Sequence, residues 1–184
     1  YLAHVWHDVT LEMQVERALA EAGMFLRETQ AIARVGGWKA NPQTDMLLWT
    51  EEVFHMTGHP PDRPPAGLAE GLRYYAPEYL PEMQRLLGEA WEHGTPFSIE
   101  TELISATGRR FWVELRCVGR IDGEDGGTFL TGTIQDISER KQTETALRDR
   151  EAIMSAIVAQ AGDAIELVDL DAFRFVEFND TSCK

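Results

Sequence analysis

The chain has only two cysteines, Cys117 and Cys183, at a spacing that suits neither a metal site nor a disulfide framework. That scarcity points to a reducing compartment, with one core thiol and one near-terminal thiol. Basic runs are absent as well. No cluster exceeds a pair such as Arg140-Lys141, and 17 Lys and Arg against 31 Asp and Glu leave a formal charge of −14. Phosphate recognition depends on clustered Lys and Arg, so nucleic acid and anionic membrane surfaces are not expected as partners. No apolar run approaches the ~20 residues that cross a bilayer, and no signal peptide is visible. A soluble, cytoplasmic segment is expected, with any membrane anchor placed elsewhere in a longer protein.

Catalytic signatures are missing too. The sequence holds no phosphate-cradling glycine loop with Lys, no Gly-x-Ser-x-Gly and no His-Glu-x-x-His. His55 and His59 have the spacing of two ligands on one helix, but Gly58 and Pro60 break a helix between them, so loop histidines are expected and no metal. The run from Asp122 to Gly127 lacks the length and ordered oxygen spacing of a calcium loop and reads as an acidic hairpin tip. No enzymatic activity is expected of this stretch.

What is present is an ordinary globular composition, 43% hydrophobic and 26% charged over 184 residues. That is enough for one well-buried domain with connectors. An internal repeat organises it. Asp8-Val9-Thr10 followed by Val15-Glu16-Arg17-Ala18-Leu19 returns as Asp136-Ile137-Ser138 followed by Thr143-Glu144-Thr145-Ala146-Leu147. The separation is that of tandem domains, not of a solenoid unit. Residues 1–10 therefore read as the last strand of an upstream unit, centred on 2–6, and 11–35 as a connector helix. Residues 36–137 read as a complete domain, 138–160 as an exit helix and 161–184 as the start of a further domain, with short strands at 164–169 and 173–179.

Within the connector, Val15, Leu19, Ala22, Leu26, Thr29 and Ala33 alternate spacings of four and three. The pattern predicts one helix over 11–34, stopped by Gly36-Gly37. Such a stripe suits either a two-helix seam in a dimer or an amphipathic helix packed on its own domain. Trp38-Lys39-Ala40 and Met46-Leu47-Leu48-Trp49 flank the turn cluster Asn41-Pro42-Gln43-Thr44-Asp45, which predicts a hairpin. Thr50 then caps a short helix, its hydroxyl accepting a backbone N–H there, and Gly58 ends it. A stripe of Leu80, Met83, Leu87, Ala90 and Trp91 predicts a longer helix over 77–93, stopped by Gly94.

Three strands follow. Phe97, Ile99, Thr101 and Leu103 share one face, as do Phe111, Val113, Leu115 and Cys117, and a third strand occupies 128–135. Two strands, small helices, a longer helix and three strands define an α+β fold: a five-stranded antiparallel sheet with helices on one face, plus N- and C-terminal connector helices. Trp112 and Val118 place apolar groups on the second face, which the N-terminal helix is expected to cover.

Several separate marks in this order resemble the PAS family, in the form found in bacterial sensor histidine kinases and diguanylate cyclases. They are Gly36-Gly37-Trp38, Trp49 ahead of the cap, Met56-Thr57-Gly58, Thr107-Gly108-Arg109-Arg110-Phe111-Trp112-Val113, and Gly132 with Asp136-Ile137-Ser138-Glu139-Arg140-Lys141. The likeness covers about residues 30–147. It departs at Ala76-Pro77-Glu78-Tyr79, where many relatives carry His-Pro-Glu-Asp, and at Ser138, where Thr is commoner.

The resemblance implies a non-catalytic sensory module of a multidomain signalling protein. Its ligand cleft would lie between sheet and long helix, lined by Trp49, Phe54, Tyr74, Met83, Leu87, Phe97, Ile99, Val113, Leu115 and Leu130; the same side chains equally suit a filled core. A signal-relay junction is implied at Asp136, Ser138, Glu139 and Arg140. There Asp136 accepts N–H groups at the start of the exit helix, Glu139 reciprocates as in a capping box, and Ser138 with Arg140 or Lys141 holds the carboxylate. No cofactor is expected, because the Asn-Cys-Arg run of the flavin-binding light sensors is absent. Haem-binding relatives use a His in the long helix, where this chain offers only the terminal His93. The implied function is relay through dimerising flanking helices, with Val15, Leu19, Ala22 and Leu26 as the seam. Its partners would be a second copy and the neighbouring PAS and output domains of the same chain, a histidine kinase or diguanylate cyclase. The alternative is a receptor for a small apolar or aromatic ligand.

Overall fold

The structure, a computed structural model, describes residues 2–123, 126–160, 166–169 and 174–178. The chain divides into two compact units, Tyr1–Ser138 and Glu139–Lys184.

The first unit opens with helix α1 (Leu2–Ala33). The strand expected at 2–6 is thus helical: a strand must pair its backbone with a neighbour, whereas a helix pairs its own N–H and C=O groups. The stop also differs from the expectation. Arg34, at φ 49°, turns the chain, and Gly36-Gly37 already lie inside strand β1 (Val35–Asn41). A Cβ on Gly36 would run into Val53, so glycine there lets the following helix lie against the strand.

Strand β2 (Met46–Trp49) completes the expected hairpin. Its turn is held by Asn41, whose Oδ1 accepts the Gln43 and Thr44 N–H groups at 2.8 and 3.0 Å. Helix α2 (Glu51–Thr57) ends at left-handed Gly58, and helix α4 (Leu80–His93) at left-handed Gly94, both as the glycines foretold. Between them lie a short helix α3 (Leu68–Leu72) that no sequence pattern announced, and a 3₁₀ turn (Pro77–Tyr79). Strands β3 (Phe97–Ile104), β4 (Arg110–Asp122) and β5 (Thr128–Asp136) follow.

The sheet is antiparallel in the order β2-β1-β5-β4-β3, so the first and last strands of the domain are neighbours at its centre. Strand β4 outruns its expected end, passing through an irregularity between Cys117 and Arg120. One face of the sheet carries the core: Trp38, Ala40, Leu130, Ile134, Val113 and Leu115 meet Met83, Leu87 and Ala90 of α4. Each such side chain, taken from water to full burial, stabilises by roughly 1.5–3 kcal/mol.

Helix α1 does not cover the other face. From residue 11 to 33 only Gly23 and Gln30 are partly covered. Trp112 on that face meets the Tyr79 ring edge-on at 6.2 Å, Lys39 sits 3.8 Å over the Phe129 ring, and Val118 is left exposed.

The second unit comprises the remainder of helix α5 (Ser138–Gln160) and an antiparallel pair, β6 (Glu166–Asp169) and β7 (Arg174–Phe178). This pair matches the hairpin read from the sequence, whose turn lies outside the described residues. Among the described residues no helix is long and apolar enough to cross a membrane.

Candidate functional site

Between the sheet, α4 and the α2–α3 segment lies a small apolar void of about 40 Å³. Of the expected cleft residues, Trp49, Tyr74, Met83, Leu87 and Leu115 line it. Phe54, Phe97, Ile99, Val113 and Leu130 do not. Val113 and Leu130 are fully buried in the packed core, and Phe97 and Ile99 flank it. The alternation of a strand fixes which face a residue takes but not its depth along that face. The lining also includes Trp38, Leu47, Leu72, Tyr75, Leu103 and Ile134, which the sequence reading did not assign. Gly71 closes one wall, where a Cβ would stand 2.5 Å from Leu47 Cδ2.

Two buried side-chain polar atoms among the described residues have no hydrogen-bond partner: Trp38 Nε1 and Thr101 Oγ1. Trp38 lines the void and Thr101 does not. Tyr75, which also lines it, keeps its phenol neutral, since burial pushes the group well above the usual tyrosine range.

One wall is pinned by His59, which is 3% exposed. Its Nε2 lies 2.7 Å from the Arg63 carbonyl and its Nδ1 2.7 Å from the Tyr74 hydroxyl. A carbonyl only accepts, so Nε2 carries the proton, and in the neutral ring Nδ1 accepts from the tyrosine. Trp49 and Tyr74 meet the ring edge-on at 5.7 and 5.9 Å, and Phe54 leans on it at 5.9 Å. His59 is therefore the loop histidine expected, though a buried one that pins the segment, whereas His55, also expected in a loop, lies in α2 and stands exposed beside Glu51 and Glu52. Further bonds fix the same segment. Arg63 donates to Glu70 at 2.9 Å, Ala66 N–H to the other Glu70 oxygen at 2.6 Å, and Leu68 N–H to Asp45 at 2.9 Å. The Ala66 bond and Arg63 hold the Glu70 carboxyl below the usual range.

At the other end of the sheet, Asp136 makes the anticipated bond: its Oδ1 accepts the Ser138 N–H at 2.9 Å. Within this unit the cation facing it is Arg109 of the β3–β4 turn, 3.7 Å from Oδ2, a residue not assigned this role from sequence. Arg140 reaches Glu144 at 3.3 Å, one helical turn on, and Glu139 stands in the first turn of α5. The Ser138 hydroxyl accepts the Trp112 N–H at 3.2 Å, and the Ile137 N–H donates to the Trp112 carbonyl at 3.0 Å. Residues 136–138 are thus bonded to β4 on both sides of Trp112.

The seam residues Val15, Leu19 and Leu26 are 59%, 73% and 58% exposed, so the rest of their unit leaves them largely uncovered. Leu11, Phe25 and Ile32, exposed beside them, widen the apolar stripe beyond the seam read from sequence.

An antiparallel sheet in this order with helices over one face defines an α+β fold. Residues 46–134 match the profile of the PAS fold, and the domain they form belongs to that family. Over 136 residues the chain is 28% identical to the sensor protein FixL of Bradyrhizobium diazoefficiens, spanning 73% of this chain and 26% of FixL. It is 30% identical over 156 residues to the uncharacterized protein y4lL of Sinorhizobium fredii, spanning 84% of this chain and 18% of that one. The chain thus spans about a quarter or less of the curated relatives it matches. Among solved structures, a sensory box histidine kinase/response regulator from Burkholderia thailandensis superposes with a TM-score of 0.55 at 22% identity, over 71% of this chain and 98% of that one. The N-terminal domain of a diguanylate cyclase with PAS/PAC sensor from Marinobacter aquaeolei gives 0.51 at 17% identity, over 58% and 98%.

Proposed function

We propose that this PAS domain is a relay module without catalysis of its own, working in the cytoplasm between flanking helices and an output domain of the histidine kinase or diguanylate cyclase kind. The observation that carries the reading is the exposed apolar stripe of α1. Side chains such as Leu19 and Leu26 left in water cost stability that a facing copy would recover, at roughly 25 cal/mol per Å² buried. The second copy lies parallel, with Val15, Leu19, Ala22 and Leu26 interlocking as heptad positions. The bonds of Asp136, Ile137 and Ser138 to β4 support the output side, because a shift in β4 is felt at the first residue of α5. Sedimentation equilibrium tests the pairing. The chain is expected to be dimeric and its Leu19→Asp/Leu26→Asp variant monomeric; a native chain that stays monomeric at every usable concentration defeats the reading.

A second reading, a ligand receptor, is favoured by the void and the unpaired Trp38 Nε1. Native mass spectrometry of the purified chain reads it directly, as a retained mass or as none.

A further inference from the structure

We propose that the void is a binding site for a neutral molecule of a few heavy atoms that carries one hydrogen-bond acceptor, to which the Trp38 indole N–H donates. The inference rests on the receptor reading and gives it a ligand class.

Size sets the first limit. A buried water needs at least about 10–15 Å³ of such space, so about 40 Å³ holds roughly three water-sized groups. A flavin, a haem or a drug-sized aromatic, which need several hundred Å³, are excluded from the void in this conformation.

Chemistry sets the second. The lining is mostly leucine, isoleucine, methionine and aromatic carbon, and among its polar groups the Tyr74 hydroxyl is engaged with His59 and the Thr57 hydroxyl with the Val53 carbonyl at 2.8 Å. An ion without a counter-charge is costly in such a place, so the occupant is neutral. Trp38, 6% exposed, brings a donor whose bond is unmade, and an unmade bond at a buried group is itself destabilising. Water is a poor answer. It ordinarily makes about three hydrogen bonds when buried, and here the indole is the one fully buried lining group left unsatisfied. A short ketone, aldehyde or ether presents a single acceptor to the indole and carbon to everything else. Trp38 belongs to β1, which is bonded to β5, the strand that ends at Asp136. Occupancy is therefore felt on the strand that feeds the exit helix.

Acetone is the probe. In ¹⁵N-labelled chain the indole N–H resonance of Trp38 is assigned by its loss in Trp38→Phe. The expected result is a saturable downfield shift of that one resonance on acetone addition, with xenon, similar in size but without an acceptor, giving no such downfield shift. Gly71→Ala, whose methyl crowds the void beside Leu47, is expected to weaken the acetone shift while the remaining spectrum stays folded. A Trp38 resonance that does not move, that moves linearly with all other tryptophans, or that shows close contact with water overturns the inference. If acetone fails while native mass spectrometry finds a larger molecule retained, the ligand class falls and the receptor reading stands. If both are empty, both fall.

Discussion

Thr50 sits where a helix cap is expected, ahead of Glu51 and Glu52, yet its hydroxyl accepts the Gly37 N–H of β1 at 2.9 Å and makes no cap bond. The sequence shows a hydroxyl beside a helix start; only the tertiary fold shows the better donor thirteen residues back. Thr50→Val keeps the shape and strands that N–H, so a loss of about 1–3 kcal/mol is expected in urea unfolding. No loss would mean that Gly37 finds another acceptor. Tyr75 makes a different prediction, in pH. Burial raises its phenol above the ordinary value near 10, so above about pH 10 the unfolded chain gives up a proton that the native chain keeps. Native protein then binds more protons, and stability falls as pH rises, by up to about 1.4 kcal/mol per pH unit for one group. Burial raises Cys117 as well, in the same direction. Tyr75→Phe is expected to flatten the alkaline fall between about pH 9 and about pH 11; an unchanged slope contradicts the buried neutral phenol.

Helix α3 shows why one element escaped the sequence. Five residues with Gly71 inside make no periodic stripe, and the helix exists because Leu68 and Leu72 pack onto the core while Asp45 accepts the Leu68 N–H. By contrast the buried face of β3 and β4 was largely legible, since Thr101 and Leu103 on β3 and Phe111, Val113, Leu115 and Cys117 on β4 stand at every second position and are buried, with Phe97 and Ile99 only partly so. The junction at Asp136 falls between these cases. Its carboxylate bond to Ser138 follows from local chemistry, but Arg109 arrives from a distant turn. Asp136, with its side chain 10% exposed, and Arg109, 63% exposed, should differ in weight. Asp136→Ala is expected to cost about 1–2 kcal/mol through the lost terminal bond, and Arg109→Ala under about 1 kcal/mol, because an exposed cation contributes little. Urea melts that show the two losses equal would mean that the ion pair, not the backbone bond, holds the junction.

For the molecule as a whole, fold class and the succession of strands along the chain could be read from pattern, because one face per strand and one stripe on α4 admit few packings. The candidate cleft was half legible. Trp49, Tyr74, Met83, Leu87 and Leu115 are in place, whereas the contributions of Trp38, Leu47 and Ile134 depend on how β2, β1 and β5 stack across the sheet. The connector was legible as a helix and not in its surroundings, for a stripe of Val15, Leu19 and Leu26 looks the same whether it faces its own sheet or a second copy. Its exposure here shows only that the stripe is not packed on its own sheet, which supports the proposed pairing. The most direct test of that pairing is a cysteine scan along α1 in a Cys117→Ala/Cys183→Ser background, because two cysteines bridge only when their Cα atoms lie within about 7 Å. Oxidation is expected to cross-link Val15→Cys, Leu19→Cys, Ala22→Cys and Leu26→Cys chains into dimers and to spare Arg17→Cys, Met24→Cys and Glu28→Cys on the opposite face. Cross-linking that is equal at all seven positions, or absent from all, contradicts a relay built on paired helices.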